Sequence, residues 1–217
     1  MRSGKKRLAG RAKAIARKKA AAEKKRAAER KPPARKNEGF VYDLYGTLVL
    51  TDCLVTGDYG PRAGAHRMLT EQKRRGYRLA CFADDDRRLV GEVLRKSGLA
   101  EAFDEVHYGN ELDEEGLKDL RRVRFRVLSF AGDMPRDERA AEKYGVSFVK
   151  VPPFTVRKDG FDFVRVGKAI AAGVEGDWIE YARANGLRRA GDEHNVEFVG
   201  EGQRVKVENS RWVARFY

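Results

Sequence analysis

Three aspartates in this 217-residue chain stand where carboxylates can do chemistry. Asp43 follows the apolar run Phe40-Val41-Tyr42, which fits a buried β-strand, and precedes Gly46, where the chain can turn sharply. Asp133 follows a second such strand, Arg126 to Phe130, and Asp137 stands one helical turn beyond it. In open parallel α/β sheets the carboxyl ends of the strands line the ligand crevice, so acids delivered there serve reaction or binding rather than packing. Three carboxylates brought together repel one another unless a cation intervenes. Mg2+, a hard ion that takes carboxylates, a backbone carbonyl and waters, fits such a set. Acids so placed can act as nucleophile, as proton carrier or as ligands of the ion. Each acid also has a plain structural use: Asp43 as a turn former, Asp133 and Asp137 as helix caps or dipole partners.

The elements that must position these acids alternate along the chain. After the first strand, 49–60 reads as a loop and Pro61 to Arg75 as a helix with Ala65, Met68, Leu69 and Gln72 on one face, stopped by Gly76. Arg78 to Ala83 is a second buried strand. A helix with Leu89, Val90, Val93 and Leu94 inward follows, ended by Gly98. Phe103 to Tyr108 is a weaker third strand and Arg126 to Phe130 a fourth. Pro135 suits the first position of a helix closed by Gly145, and Val146 to Val151 is a fifth strand. Strands alternating with helices of this length predict an α/β fold with a doubly wound parallel sheet.

Beyond Pro152-Pro153 the pattern predicts helices over 161–172 and 178–187, the first weakened by Gly167. The period then changes. Polar and apolar residues alternate around Gly200 and Gly202, which predicts a β-hairpin or three-stranded antiparallel piece to which the sequence assigns no role. The expected domains are therefore 1–37, a basic low-complexity tail and linker; 38–153, the α/β core; and 154–217, a small C-terminal α+β appendage.

Charge is concentrated at one end. Residues 1–37 hold 16 Lys and Arg against Glu23 and Glu29, whereas the rest of the chain carries a net charge of −1. Any polyanion binding is thus expected from the tail, through Lys5, Lys6, Arg7, Arg11, Lys18, Lys19, Lys24, Lys25 and Arg26, with nucleic acid or ribonucleoprotein as partner. Its Ala-rich section favours helix against such a partner, and Lys31-Pro32-Pro33 ends it. No apolar run approaches the ~18 residues of a membrane span. Cys53 and Cys81 read as reduced thiols in a cytoplasmic protein, with the mitochondrial matrix as the alternative address. His66, His107 and His194 lack metal-ligand spacing.

Asp43-Leu44-Tyr45-Gly46-Thr47-Leu48 resembles the signature that opens the haloacid dehalogenase superfamily of phosphohydrolases and dehalogenases. Gly132-Asp133-Met134-Pro135-Arg136-Asp137, followed by Ala140-Ala141 and Tyr144-Gly145-Val146, is similar to that superfamily's fourth motif. The resemblance implies a Rossmann-like core in which the strand ends carrying Asp43, Ala83 and Asp133 meet. It implies Asp43 as nucleophile, Mg2+ held by Asp43, the Tyr45 carbonyl, Asp133 and Asp137, Gly46 and Thr47 at the phosphate turn, and Lys118 as the supporting lysine. The short span between the first two strands implies a capless or minimally capped member acting on a phosphomonoester, with a crevice open to macromolecules.

Two positions depart from the phosphatase pattern, and at a third, Lys118, a single lysine in a charged stretch reads equally as a solvated surface residue. Tyr45 stands where an Asp acid/base is usual, and Ala83 where a hydroxyl is usual. A phenol with a pKa of roughly 10 is a poor proton shuttle at neutral pH. Tyr45 resembles the metal-free dehalogenase branch while the paired acids resemble the metal-using one. The run Asp84-Asp85-Asp86 is expected to cap and charge the next helix. The competing expectation is a catalytically silent scaffold that binds nucleic acid by its tail. A lysine paired in the cation's place would remove the enzymatic reading.

Overall fold

The computed structural model describes residues 34–192, 195–208 and 211–217. The tail residues expected to bind nucleic acid, and His194, lie outside them. Residues 35–217 form one compact unit.

Its elements are β1 (Glu38–Asp43), α1 (Cys53–Thr56), α2 (Ala65–Arg74), β2 (Arg78–Phe82), α3 (Arg87–Lys96), β3 (Glu105–His107), β4 (Arg126–Gly132), α4 (Pro135–Lys143), β5 (Ser147–Lys150), α5 (Val164–Glu175), α6 (Trp178–Ala184), β6 (Arg188–Gly191), β7 (Val196–Gly200), β8 (Gln203–Glu208) and β9 (Arg211–Phe216). All nine strands join one sheet in the order β3-β2-β1-β4-β5-β9-β8-β7-β6. The first five and β9 run parallel; β6 to β8 continue antiparallel. The C-terminal strands therefore extend the core sheet, because β9 returns to pair with β5.

Alternation sorts the side chains into two cores. Tyr42, Leu79, Cys81 and Val149 lie on one side with Met68 and Leu69 of α2, Val90 and Val93 of α3, and Val166 and Ile170 of α5. Val41, Phe82, Phe130 and Phe148 lie on the other with Ala140 and Ala141 of α4. Gly167, a helix weakener by propensity, has a packing reason. A Cβ there would stand 2.6 Å from Met68 Cγ, so its absence lets α5 close on α2. Gly173 does the same for Trp212, whose ring stacks edgewise on Trp178 at 5.2 Å.

Between β1 and β2 the chain holds only a loop, the four-residue α1, and α2. The loop is clamped. Arg62, with its side chain wholly buried, donates to Asp159 and, at 2.8 Å, to the Pro152 carbonyl, while Arg157 pairs with Asp58 and donates to the Gly60 carbonyl. The helix starts at Arg87 and Pro135 fall at their expected places, whereas α2 starts four residues later than expected and the short α1 lies in the expected loop 49–60. Asp86 caps α3 by accepting from Arg88 N and Leu89 N, and Asp137 accepts from Met134 N at 3.1 Å at the start of α4. Among the described residues no helix is long and apolar enough to cross a membrane.

Candidate active site

The strand order reverses between β1 and β4: successive connections run outward from β1 to β3, then return to β4 and continue to the other side. Carboxyl-end side chains on either side of such a reversal face an open crevice, because the flanking connections leave in opposite directions. Asp43 ends β1 and Asp133 follows β4, so both acids meet there.

One carboxylate oxygen each from Asp43, Asp133 and Asp137 lies within 4.8 Å of the others, and all three residues are buried. Lys118, 3% exposed, donates to Asp43 Oδ1 and, at 2.8 Å, to Asp137 Oδ1. The lysine thus sits on the Asp43–Asp137 side. Between Asp43 and Asp133 stands the Thr47 hydroxyl, 3.0 Å from Asp43 Oδ2 and 3.1 Å from Asp133 Oδ1. Lys118 is delivered by a loop rather than by regular structure. Asp113 accepts from Leu117 N at 2.9 Å and from the Tyr144 hydroxyl at 2.7 Å, tying that loop to the end of α4.

Two glycines make room. At Gly46, φ is +75°, and a Cβ would fall 2.5 Å from Asp133 Oδ2; at Gly132 a Cβ would fall 2.5 Å from Asp137 Oδ2. The backbone approaches these carboxylates more closely than any side chain allows.

Three acids against one ammonium leave two buried negative charges. Burial, opposed by Lys118 and reinforced by Asp137, pushes the Asp43 carboxyl up to about 8. Burial also pushes Asp133 up, opposed by its hydrogen bond from Thr47. Burial works against the charge of Lys118, yet Asp43, Asp137 and Asp84 together hold its pKa above the ordinary value. The Thr47 hydroxyl has one proton and faces two carboxyl groups, so a second contact needs a proton on one acid. Without a cation the cluster keeps a proton; a divalent ion would balance it. An all-oxygen donor set with two unbalanced charges and no room lost to Cβ atoms fits Mg2+.

Neither the chain's family models nor the curated proteins compared yield a match. Solved structures do match. Hydrolases of the haloacid dehalogenase superfamily are among them. A predicted phosphoglycolate phosphatase from Haemophilus somnus 129pt is 17% identical over 60% of this chain and 96% of its own, with a TM-score of 0.44. A superfamily hydrolase from Ehrlichia chaffeensis is 12% identical over 64% and 97%, with a TM-score of 0.46. A haloacid dehalogenase-like hydrolase from Streptococcus pneumoniae is 13% identical over 54% and 85%, with a TM-score of 0.43.

Of the residues that the haloacid dehalogenase resemblance singled out, Asp43, Thr47, Lys118, Asp133 and Asp137 come together, and Gly46 lies against Asp133. Tyr45 is different. Its hydroxyl is enclosed with Asp85 beside it, and burial, then the contact with Asp85, pushes the phenol further up. Ala83 is buried at the end of β2 and offers no donor except its amide, which goes to the His107 carbonyl. Thr47, expected at the phosphate turn, spends its hydroxyl on carboxylates.

The aspartate triplet divides its labour. Asp86 caps α3 as expected. Asp84 instead turns to the crevice, 4.0 Å from Lys118 Nζ, and is gripped by Arg136 from the first turn of α4. Neither Asp84 nor Arg136 stood out as a site residue in the sequence; the one signal was the placement of Arg136 between Asp133 and Asp137. His107 stacks on Phe82 at 4.5 Å and bonds Glu111, away from the three acids.

Proposed function

We propose that the chain is a phosphohydrolase of haloacid dehalogenase type that works through an aspartyl-phosphate on Asp43. The observation that carries the reading is the meeting of Asp43, Asp133 and Asp137 around an excess of buried negative charge, with Lys118 bonded to two of them.

Asp43, Asp133 and the Tyr45 carbonyl, with Asp137 as a further or outer ligand, would hold Mg2+, which supplies positive charge to the phosphoryl oxygens when bound. An Asp43 carboxylate oxygen attacks phosphorus while the bond to the leaving oxygen breaks. Lys118 favours the ionised form of Asp43 against the cost of burial and orients it, and Asp137 fixes Lys118. Thr47 holds the rotamers of Asp43 and Asp133. Water then attacks the phosphorus of the intermediate, releasing phosphate and restoring Asp43. Tyr45 supplies no proton at neutral pH, so the leaving group departs with little help from the protein. Arg136, half exposed at the mouth beside Asp84, is placed to meet an incoming phosphate.

Purified protein is expected to release phosphate from aryl and acyl phosphates, and from a panel that includes terminally phosphorylated oligonucleotides, only with Mg2+. Asp43→Asn is expected to abolish it. Lack of release from every substrate, or full activity in Asp43→Asn, would rule the reading out.

The second reading, a catalytically silent domain that binds RNA or DNA by its tail, is favoured by the enclosed hydroxyl of Tyr45 and the missing hydroxyl at Ala83. It predicts salt-sensitive binding that Asp43→Asn leaves intact and removal of residues 1–37 abolishes.

A further inference from the structure

The strands that extend the core sheet carry one row of residues unlike its neighbours. Cross-strand partners share a face, and the register links Lys150 to Arg215, Arg215 to Arg204, Arg204 to Val199 and Val199 to Arg188. Four of the five are basic. The next row on the same face reads Phe148, Val213, Lys206, Glu197 and Ala190, with one charge of each sign. Positive charge is therefore gathered in a single transverse line.

That line lies at the edge where the crevice opens. Lys150 pairs with Gly132, the residue before Asp133, and strand alternation places Asp43 on the same face as Val41, Phe130 and Phe148. The opposite face of the added strands is filled: Trp212, Ala214, Phe216, Val205 and Phe198 are buried with α5 and α6. Helix α4 covers this face at its β5 end, where Phe148 is buried and Glu138 reaches Arg215, and the row itself stays partly exposed, with the Arg204 side chain 50% exposed and that of Arg215 33% exposed.

Guanidinium groups directly opposite each other repel. Arg204 and Arg215 are such a pair, and each leans on an acid of its own, Glu197 and Glu138. Exposed pairs of this kind are weak, and an arginine keeps further donors when one or two are used. Lys150 and Arg188 make no ion pair among the described residues. Tyr217, two residues beyond Arg215 and so on the same face, is 69% exposed while its amide still bonds the Gly202 carbonyl at 3.1 Å. A line of cations with an exposed aromatic ring beside it suits a flexible strand whose phosphates repeat and whose bases stack.

We propose that this row is a ledge for single-stranded nucleic acid, laid across the strands so that one end of the bound strand reaches the crevice of Asp43. At about 4.8 Å between neighbouring strands, the row spans roughly 19 Å, the length of about five or six stacked nucleotides. The ledge goes beyond the hydrolase reading, since it would bind even if Asp43 hydrolysed nothing.

The full chain should be titrated with a fluorescein-labelled single-stranded 12-mer at several salt concentrations, reading anisotropy. Lys150→Ala/Arg188→Ala breaks no ion pair. It is expected to weaken binding about tenfold and to flatten the dependence of log affinity on log salt by between one and two, at about 0.7 per lost phosphate contact. Tyr217→Ala is expected to weaken binding at least fivefold with the slope unchanged. If both variants, with wild-type circular dichroism, bind as the wild type does, residues 1–37 carry the binding and the ledge is overturned. Absence of phosphate release from the wild type, by contrast, would remove the hydrolase reading and leave the ledge standing.

Discussion

Lys118 Nζ lies 2.8 Å from Asp137 Oδ1 while also donating to Asp43, so one ammonium group is shared between a strand-end acid and an acid in the first turn of a helix. This contact decides how the site is charged. It gives Asp43 a partner on one side and leaves the Asp133 side in need of another.

Lys118→Ala should leave the buried Asp43 and Asp137 carboxylates without their partner. Breaking one side of a buried charge pair costs about 3–5 kcal/mol, so urea unfolding of the metal-free variant should show a loss of that order. Mg2+ should recover part of it. A variant as stable as the wild type would mean that the lysine is not buried in solution.

The pH dependence of stability has a defined sign. Asp43 is raised from an ordinary 3.8 to about 8, so the folded chain holds a proton that the unfolded chain releases. Its contribution is fully present below about 4 and is lost as pH rises to about 8. In chelator, the unfolding midpoint of the wild type should fall relative to Asp43→Asn across that window, and saturating Mg2+ should remove the difference. Parallel pH profiles of the two proteins in chelator would contradict the burial of a protonated Asp43.

Tyr45 makes turnover depend on the leaving group. Across a series of aryl phosphates, kcat/KM should fall steeply as the phenol pKa rises, because no side chain protonates the departing oxygen. Tyr45→Asp should flatten that series and accelerate the poorest substrates by about 10²-fold or more. A flat series in the wild type would show that another group carries the proton.

Gly46→Ala places a Cβ against Asp133 at a backbone φ of +75°, which L side chains rarely adopt. Isothermal titration should show Mg2+ affinity falling by tenfold or more while the chain stays folded. Gly173→Ala, where the Cβ would meet the Trp212 ring 2.0 Å away, should instead lower stability by about 1–3 kcal/mol with metal binding unchanged.

Much of the core could be read from the chain. β1, β2, β4 and β5 were legible because each is a short apolar run bounded by turn residues, and α2 to α4 because their inward positions recur at the helical period. Helix starts were less so: α2 begins at Ala65 rather than Pro61, since 61–64 are spent on Arg62 and the clamp it makes. β6 was missed altogether. All four of its residues are exposed, so it carries no alternation to detect.

Local pattern by itself determined the core strands and their helices, the strand-end placement of Asp43 and Asp133, and the turn at Gly46, because periodicity and backbone sterics act within a few residues. Only the tertiary structure decided that Lys118 leaves its charged loop for the buried cluster, that Asp84 faces the crevice while Asp86 caps a helix, and that the last four strands join the core sheet beside β5. Those outcomes depend on pairing between residues far apart in the chain. An aspartate, a lysine or an alternating strand looks the same in sequence whether its partner is water, a distant side chain or the free edge of a sheet.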